Sequence, residues 1–276
     1  MKTIISLCAV LFCCQMAQAQ PACCIKATDQ FANMAKDKNF RNEHAEPLPF
    51  LYESKKGNDI SYTVPGGKPA HAWEIKADKE TSYYLFVVHE WWGLNDYVKQ
   101  ESEKMANELG VNVIALDLYD NKVTADREEA GKLVQSVSNE RAMNIIKGAY
   151  SYAGNNAKVF TLGWCFGGGW SLQAALMGGR QVQGCLIYYG MPEQDVQRLK
   201  TLNCDVIGFF AKKDGHITPE VVKTFEANMK AAGKSAKTYE YDADHAFANP
   251  SNPVYNREAA ADANAKALAF IKERIK

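Results

Sequence analysis

The chain has 276 residues, 47% hydrophobic and 23% charged. This is ordinary globular usage, long enough for one large domain or two small ones, and it excludes collagen-like, coiled-coil and disordered readings. Lys and Arg together number 32, as do Asp and Glu, giving a formal charge of +0 at pH 7; no overall field attracts a polyanion, which argues against nucleic acid as a partner.

Residues 1–19 carry Lys2, an apolar run from Ile4 to Cys14 and the small-residue exit Ala17-Gln18-Ala19. A basic start, an apolar stretch too short to span a bilayer and an A-x-A site predict a cleavable export signal, with the mature chain starting near Gln20 and residing in the periplasm or outside the cell. A buried N-terminal helix fits these residues less well, and Phe12 before Cys13 is too bulky for lipoprotein processing. No later stretch is long and apolar enough for a membrane span, so no stable insertion is expected after cleavage. Cys8, Cys13 and Cys14 lie in the signal, leaving Cys23, Cys24, Cys165, Cys185 and Cys204. An odd number leaves at least one thiol free or paired between chains. Cys185 and Cys204 sit in apolar runs and read as small buried hydrophobes.

Residues 20–56 read as an N-terminal extension. Ala27, Phe31, Met34 and Ala35 recur at three- and four-residue steps, which predicts a short amphipathic helix from Ala27 to Asn39, packed outside the main core and stopped by Pro47 and Pro49. Residues 57–276 read as a single α/β domain. Ile60 to Val64 and Ala70 to Ile75 predict an antiparallel pair joined through Pro65-Gly66-Gly67. Strand-like runs then follow at Tyr83 to Val88, Val111 to Leu116, Val159 to Gly163, Cys185 to Tyr189, Val206 to Phe210 and Thr238 to Tyr241. Between and after them come helix-like stretches starting near Asn95, Thr124, Arg141, Gly168, Thr218 and Asn256. Strands apolar on both faces, alternating with helices, predict a mostly parallel central sheet with helices on both faces.

The segment Gly163-Trp164-Cys165-Phe166-Gly167-Gly168 follows a strand and opens a helix. A nucleophile on so sharp a turn needs small flanking residues, because side chains there would strike the neighbouring strand and helix. The helix N-terminus behind it stabilises an anion. Asp214 and His245 follow in the order nucleophile, acid, histidine, each just past the end of its own strand. In that arrangement His245 takes and returns the thiol proton while Asp214 fixes the ring tautomer. Taken singly, Asp214 also reads as a turn residue before Gly215, and His245 as a capping or surface residue.

With these residues in view, the chain from about Gly57 onward resembles the dienelactone hydrolase family of the α/β-hydrolase superfamily. The matching pieces are the Cys165 elbow, His89-Glu90-Trp91-Trp92-Gly93-Leu94-Asn95, the Asp214 turn and Asp244-His245-Ala246-Phe247. The resemblance implies the α/β-hydrolase fold and a Cys165, His245, Asp214 triad cleaving a small-molecule ester or lactone. It also implies that Glu90 contacts the resting thiol and governs thiolate formation, and that the backbone N–H groups of Trp91 and Phe166 form the oxyanion hole. Beside two tryptophans Glu90 is expected to titrate high. The family's better-known members hold a substrate carboxylate with two arginines. Arg127 resembles the first, although it also reads as a surface residue paired with a glutamate; the second falls at the uncharged Asn249. Trp91, Trp92 and the polar segment from Asn249 to Asn256 are expected at the pocket rim. No cofactor and no metal is expected, since His44, His71, His89, His216 and His245 show no metal-ligand spacing. Two other readings fit the same residues: an esterase or thioesterase unconnected with lactones, and a non-catalytic binding protein on this fold.

Overall fold

The computed structural model describes residues 27–275; the predicted signal, Cys23 and Cys24 lie outside them. Eight strands form one sheet: β1 (Asn58–Tyr62), β2 (Ala70–Ile75), β3 (Tyr83–Val88), β4 (Asn112–Leu116), β5 (Lys158–Trp164), β6 (Val182–Tyr188), β7 (Val206–Ala211) and β8 (Ala236–Tyr241). Their order across the sheet is β1-β2-β4-β3-β5-β6-β7-β8. β2 runs antiparallel to β1 and β4, and all other neighbours are parallel. The central strands are Val-, Ile-, Leu- and Phe-rich and buried on both faces, as a helix-covered parallel sheet requires. From β3 the chain winds one way to β4, and from β5 it winds the other way to β8. The carboxyl ends of β3 and β5 therefore flank the point where the winding reverses, the place where open α/β sheets hold their ligands.

The helices are α1 (Ala27–Met34), α2 (Lys38–Asn42), α3 (Asp96–Leu109), α4 (Arg127–Ser136), α5 (Asn139–Ala153), α6 (Phe166–Met177), α7 (Val196–Leu199), α8 (Pro219–Ala231) and α9 (Arg257–Lys272). Side-chain caps decide several starts. Asn95, Asp126, Ser138 and Asn256 accept from Val98, Glu129, Arg141 and Ala259 N–H groups, so α4 and α5 begin at Arg127 and Asn139 rather than at the predicted Thr124 and Arg141. None of the helices within the described residues is long and apolar enough to cross a membrane. Cys185 is buried in β6 as expected, whereas Cys204 is only half-buried, and Cys165, Cys185 and Cys204 are all free thiols.

The N-terminal helix departs from its predicted place. Instead of one helix outside the core there are two, broken at Asp37, whose carboxylate caps α2 by accepting from the Asn39 N–H. Their apolar faces belong to the main core: Phe31 is 3% exposed and Phe40 is 0% exposed. The Phe31 ring packs 5.4 Å from Phe40, 6.0 Å from Phe166 and 6.5 Å from Trp91. The apolar stripe was readable, but its partner was not. The loops after β3 and β5 present Trp91 and Phe166, and these helices bury them, each phenylalanine contributing roughly 1.5–3 kcal/mol.

Candidate active site

Cys165 occupies the turn between β5 and α6 with φ +54° and ψ −118°, a conformation L-residues rarely adopt. The flanking glycines are sterically required. A Cβ on Gly163 would lie 2.1 Å from the Gly167 carbonyl oxygen, and one on Gly167 would lie 2.2 Å from that of Val88. The elbow thus lifts the Cys165 side chain above the carboxyl edge of the sheet, where the Phe166 N–H at the start of α6 donates to its sulfur.

Asp214 follows β7 and His245 follows β8. Asp214 Oδ1 accepts from the N–H groups of His216 (2.9 Å) and Ile217 (2.8 Å), and Oδ2 accepts from His245 Nδ1 at 2.6 Å. His245 Nε2 lies 3.3 Å from Cys165 Sγ. The Nδ1–H donation fixes the tautomer and leaves Nε2 as the base facing the thiol. Burial alone would raise the Asp214 carboxyl, but His245 and the two backbone donors outweigh it and hold it down to about 2. Burial disfavours the charged imidazole, yet Asp214 overrides it and makes His245 more basic than an ordinary histidine. Burial pushes the Cys165 thiol up, which favours the protonated sulfur.

A second imidazole shares that sulfur. His44, just past α2, lies with Nε2 3.5 Å from Cys165 Sγ, and its Nδ1–H donates to the Phe40 carbonyl at 2.9 Å. Its ring stacks on Trp91 with centroids 4.1 Å apart and 16° between planes. Burial first, and then the neighbouring His245, lower its pKa to about 3, so it stays neutral. Sequence reasoning assigned His44 no role. It stands 121 residues from Cys165, and no local signal in the sequence marks it. Sγ of Cys165 and the Nε2 atoms of His44 and His245 all lie within 4.8 Å of one another, the one His/Cys/Asp/Glu group among the described residues able to hold a metal ion.

Glu90, two residues past β3, is buried, and desolvation raises its carboxyl to about 7 despite the opposing pull of His245 and a hydrogen bond from Asn249. Asn249 Oδ1 accepts from Ser251 N–H and Oγ, which leaves its amide NH₂ to donate to Glu90. His89 fixes the same loop: its Nε2 accepts from the Leu118 N–H and its Nδ1–H donates to the Glu90 carbonyl. A cavity of about 20 Å³ beside Glu90, Trp164 and Asn249 has room for one water.

The sequence profile of the Dienelactone hydrolase family matches residues 75–275. The chain belongs to the dienelactone hydrolase family. By that membership it is a hydrolase acting on ester bonds. It is similar to the carboxymethylenebutenolidase of Pseudomonas putida, 25% identical over 202 residues, covering 68% of this chain and 84% of the relative. It is likewise similar to Protein usf of Aquifex pyrophilus, 28% identical over 206 residues, covering 69% and 88%. Among solved structures, a dienelactone hydrolase-like promiscuous phosphotriesterase from metagenomic libraries superposes with a TM-score of 0.70 at 18% identity, over 80% of this chain and 100% of that one.

Against the family pattern, the structure brings Cys165, His245 and Asp214 into contact, and sets Glu90 and the buried Trp91 and Phe166 around them. Asn249 touches Glu90 rather than open solvent. Trp92 is buried, its carbonyl accepting from the Thr124 N–H, so it does not rim an open pocket. Arg127 donates from Nε to the His44 carbonyl (2.9 Å) and from Nη1 to Asn42 Oδ1 (3.2 Å). It is Arg41 that pairs with a glutamate, Glu128. In this conformation Arg127 clasps the segment that carries His44.

Proposed function

We propose that this protein is an exported hydrolase of small carboxylic esters or lactones, working through an acyl-thioenzyme on Cys165. The observation that carries the reading is the line from Asp214 Oδ2 through His245 to Cys165 Sγ, with links of 2.6 and 3.3 Å, on a strained elbow at the reversal point of the sheet. His245 Nε2 removes the thiol proton as sulfur attacks the acyl carbon. The resulting oxyanion is stabilised by the Phe166 and Trp91 N–H groups, each such donor contributing on the order of 10²–10³ in rate. Collapse breaks the C–O bond, and the leaving alkoxide takes the proton from His245; in a lactone it stays tethered. Water, deprotonated by His245, then releases the carboxylate and regenerates the thiol. Glu90, titrating near neutrality, buffers the charge beside the sulfur as the thiolate forms.

Uncharged substrates suit this site best. Asn249 carries no cation, and two of the donors of Arg127 bind the N-terminal segment. The buried sulfur is in contact with His44, and the cavity beside Glu90 and Asn249 is only about 20 Å³, far below the roughly 300 Å³ or more of a ligand site. Turnover therefore needs His44 and Phe40 to swing aside. Purified full-length protein assayed on p-nitrophenyl esters of graded chain length and on small lactones is expected to turn over, with a thioester adduct visible by intact mass and absent in Cys165→Ala. Equal activity of wild type and Cys165→Ala would overturn the nucleophile. Lys2, the apolar run after it and Ala17-Gln18-Ala19 support export. The mature chain recovered outside the cytoplasm is then expected to begin near Gln20, and an intact Met1 there would overturn this part.

A further inference from the structure

The hydrolytic cycle uses one imidazole, yet two point at the same sulfur. His245 donates its Nδ1–H to Asp214 and His44 donates its Nδ1–H to Phe40 O, so in both rings Nε2 is the atom turned to Cys165, at 3.3 and 3.5 Å. When His245 is neutral, the single thiol proton satisfies only one of these two acceptors. The other faces sulfur lone pairs in a site with His44 at 3%, Cys165 at 0% and His245 at 4% exposure. That is an unbalanced set of three soft donors.

We infer that Cys165 Sγ, His44 Nε2 and His245 Nε2 form a binding site for a thiophilic d10 cation, Zn(II) or Cu(I), which latches the N-terminal helices over the triad. A cation about 2.3 Å from sulfur and about 2.0–2.1 Å from nitrogen, at a tetrahedral angle, separates S from N by about 3.5 Å. The two S–N separations, 3.3 and 3.5 Å, match this, and the two Nε2 atoms, within 4.8 Å of each other, draw together to about 3.4 Å around the ion. The outer shell is also of the kind metal-bound imidazoles use, since one ring N–H goes to a carboxylate and the other to a backbone carbonyl. One sulfur and two imidazoles exclude Mg²⁺ and Ca²⁺, which take oxygen ligands. Three donors complete a trigonal Cu(I) site, whereas Zn(II) takes a fourth ligand. Binding breaks the Cys165 S–H bond, releases its proton to solvent and forms one metal–sulfur and two metal–nitrogen bonds; nothing is oxidised or reduced. The sulfur pair needed for attack is then coordinated, and α2 is tied to the elbow and to the loop after β8. That this silences turnover rests on the hydrolase reading; the binding itself does not.

The test uses the full chain carrying Cys8→Ser, Cys13→Ser, Cys14→Ser, Cys23→Ser and Cys24→Ser, so that those thiols bind nothing, stripped with chelator under reducing conditions. Zn(II) and Cu(I) are each titrated in competition with a chromophoric chelator, and Co(II) serves as an optical probe. The expected result is one equivalent of at least one of the two ions, with affinity falling by at least about 100-fold in Cys165→Ala and in His44→Ala. Co(II) is expected to show a thiolate charge-transfer band that Cys165→Ala abolishes. Should His44→Ala unfold, His44→Gln, which keeps bulk and neutrality at that position, takes its place and is expected to show the same loss. Absence of one-to-one binding by both ions overturns the inference, as does binding that is undiminished in a folded His44 variant. Neither outcome depends on ester hydrolysis, so failure of the latch and failure of the hydrolase assignment are read separately.

Discussion

Two regions meet at the sulfur of Cys165 and are built on different principles. Below it, the carboxyl edge of the sheet presents Cys165, Asp214, His245 and Glu90 from the ends of β5, β7, β8 and β3, strands locked to their neighbours by ladder hydrogen bonds and, through the centre, buried on both faces. Above it, α1 and α2 have 8 and 5 residues, too short to persist alone. They hold their place through Phe31, Phe40 and a few polar ties: Arg127 to His44 O and Asn42 Oδ1, Arg41 to Ala35 O and Lys36 O, and Thr28 to Asn139. Geometry that must hold to a fraction of an ångström sits on rigid strand ends, while access is governed by the part that opens at low cost.

The largest effects belong to the lower region. Cys165→Ala is expected to abolish ester hydrolysis, a loss on the order of 10⁴-fold or more, with little loss of fold. Asp214→Asn is expected to cost on the order of 10⁴-fold in kcat, because an amide can hold His245 in the wrong tautomer. A steady-state comparison on one activated ester checks both; a loss below about tenfold for Asp214→Asn would remove it from the triad.

This division also explains what could be read from the residues alone. β2 and β3 fall at their predicted limits because apolar runs bounded by turn residues report strands locally. The Cys165 elbow was readable because Gly163 and Gly167 are dictated by contacts within a few residues of it. Asp214 and His245 followed because each lies a few positions past a strand end. The cover was not readable. Hydrophobic spacing marks which face of a helix is buried, not against what, and Phe31 found Phe166 across more than a hundred residues. The break at Asp37 is a capping choice that apolar periodicity overlooks, and the four-residue α7 is too short to show any periodicity. His44 carries no local mark of its partnership with Cys165.

A smaller effect separates the regions by pH. Desolvation raises the Glu90 carboxyl from 4.5 in the ordinary case to about 7. Between those values the native state holds a proton that the unfolded state has lost, so stability is full below about pH 4.5 and falls as pH rises through 7, by at most about 3 kcal/mol. His44, held neutral, works against this up to about pH 6.5 and His245 adds to it above, so the comparison is the gap between urea midpoints of wild type and Glu90→Gln, which is expected to shift against wild type as pH rises from 4.5 to 8. Asp214 works in the opposite sense. Held down to about 2 from 3.8, it adds stability that is present above pH 3.8 and lost as pH falls through 2. A midpoint that falls equally across pH 4.5 to 8 in Glu90→Gln would assign the decline to another group.

The smallest effect sharpens the comparison most, because it acts on the cover alone. The guanidinium of Arg127 donates to the His44 carbonyl and to Asn42 Oδ1, and losing those bonds is expected to weaken the clasp by about 1–2 kcal/mol. A shift of that size multiplies the open population by about 5–30. Since Cys165 is 0% exposed when covered, its reaction with the neutral reagent iodoacetamide reads that population directly, and Arg127→Ala is expected to speed alkylation by the same factor while global unfolding changes little. The role implied by family resemblance, an anchor for a substrate carboxylate, makes a different demand: Arg127→Ala would raise KM for anionic esters and leave the alkylation rate of the free protein where it was. Because iodoacetamide carries no charge and needs no substrate site, a rise in its rate identifies Arg127 with the cover, and an unchanged rate returns it to the pocket.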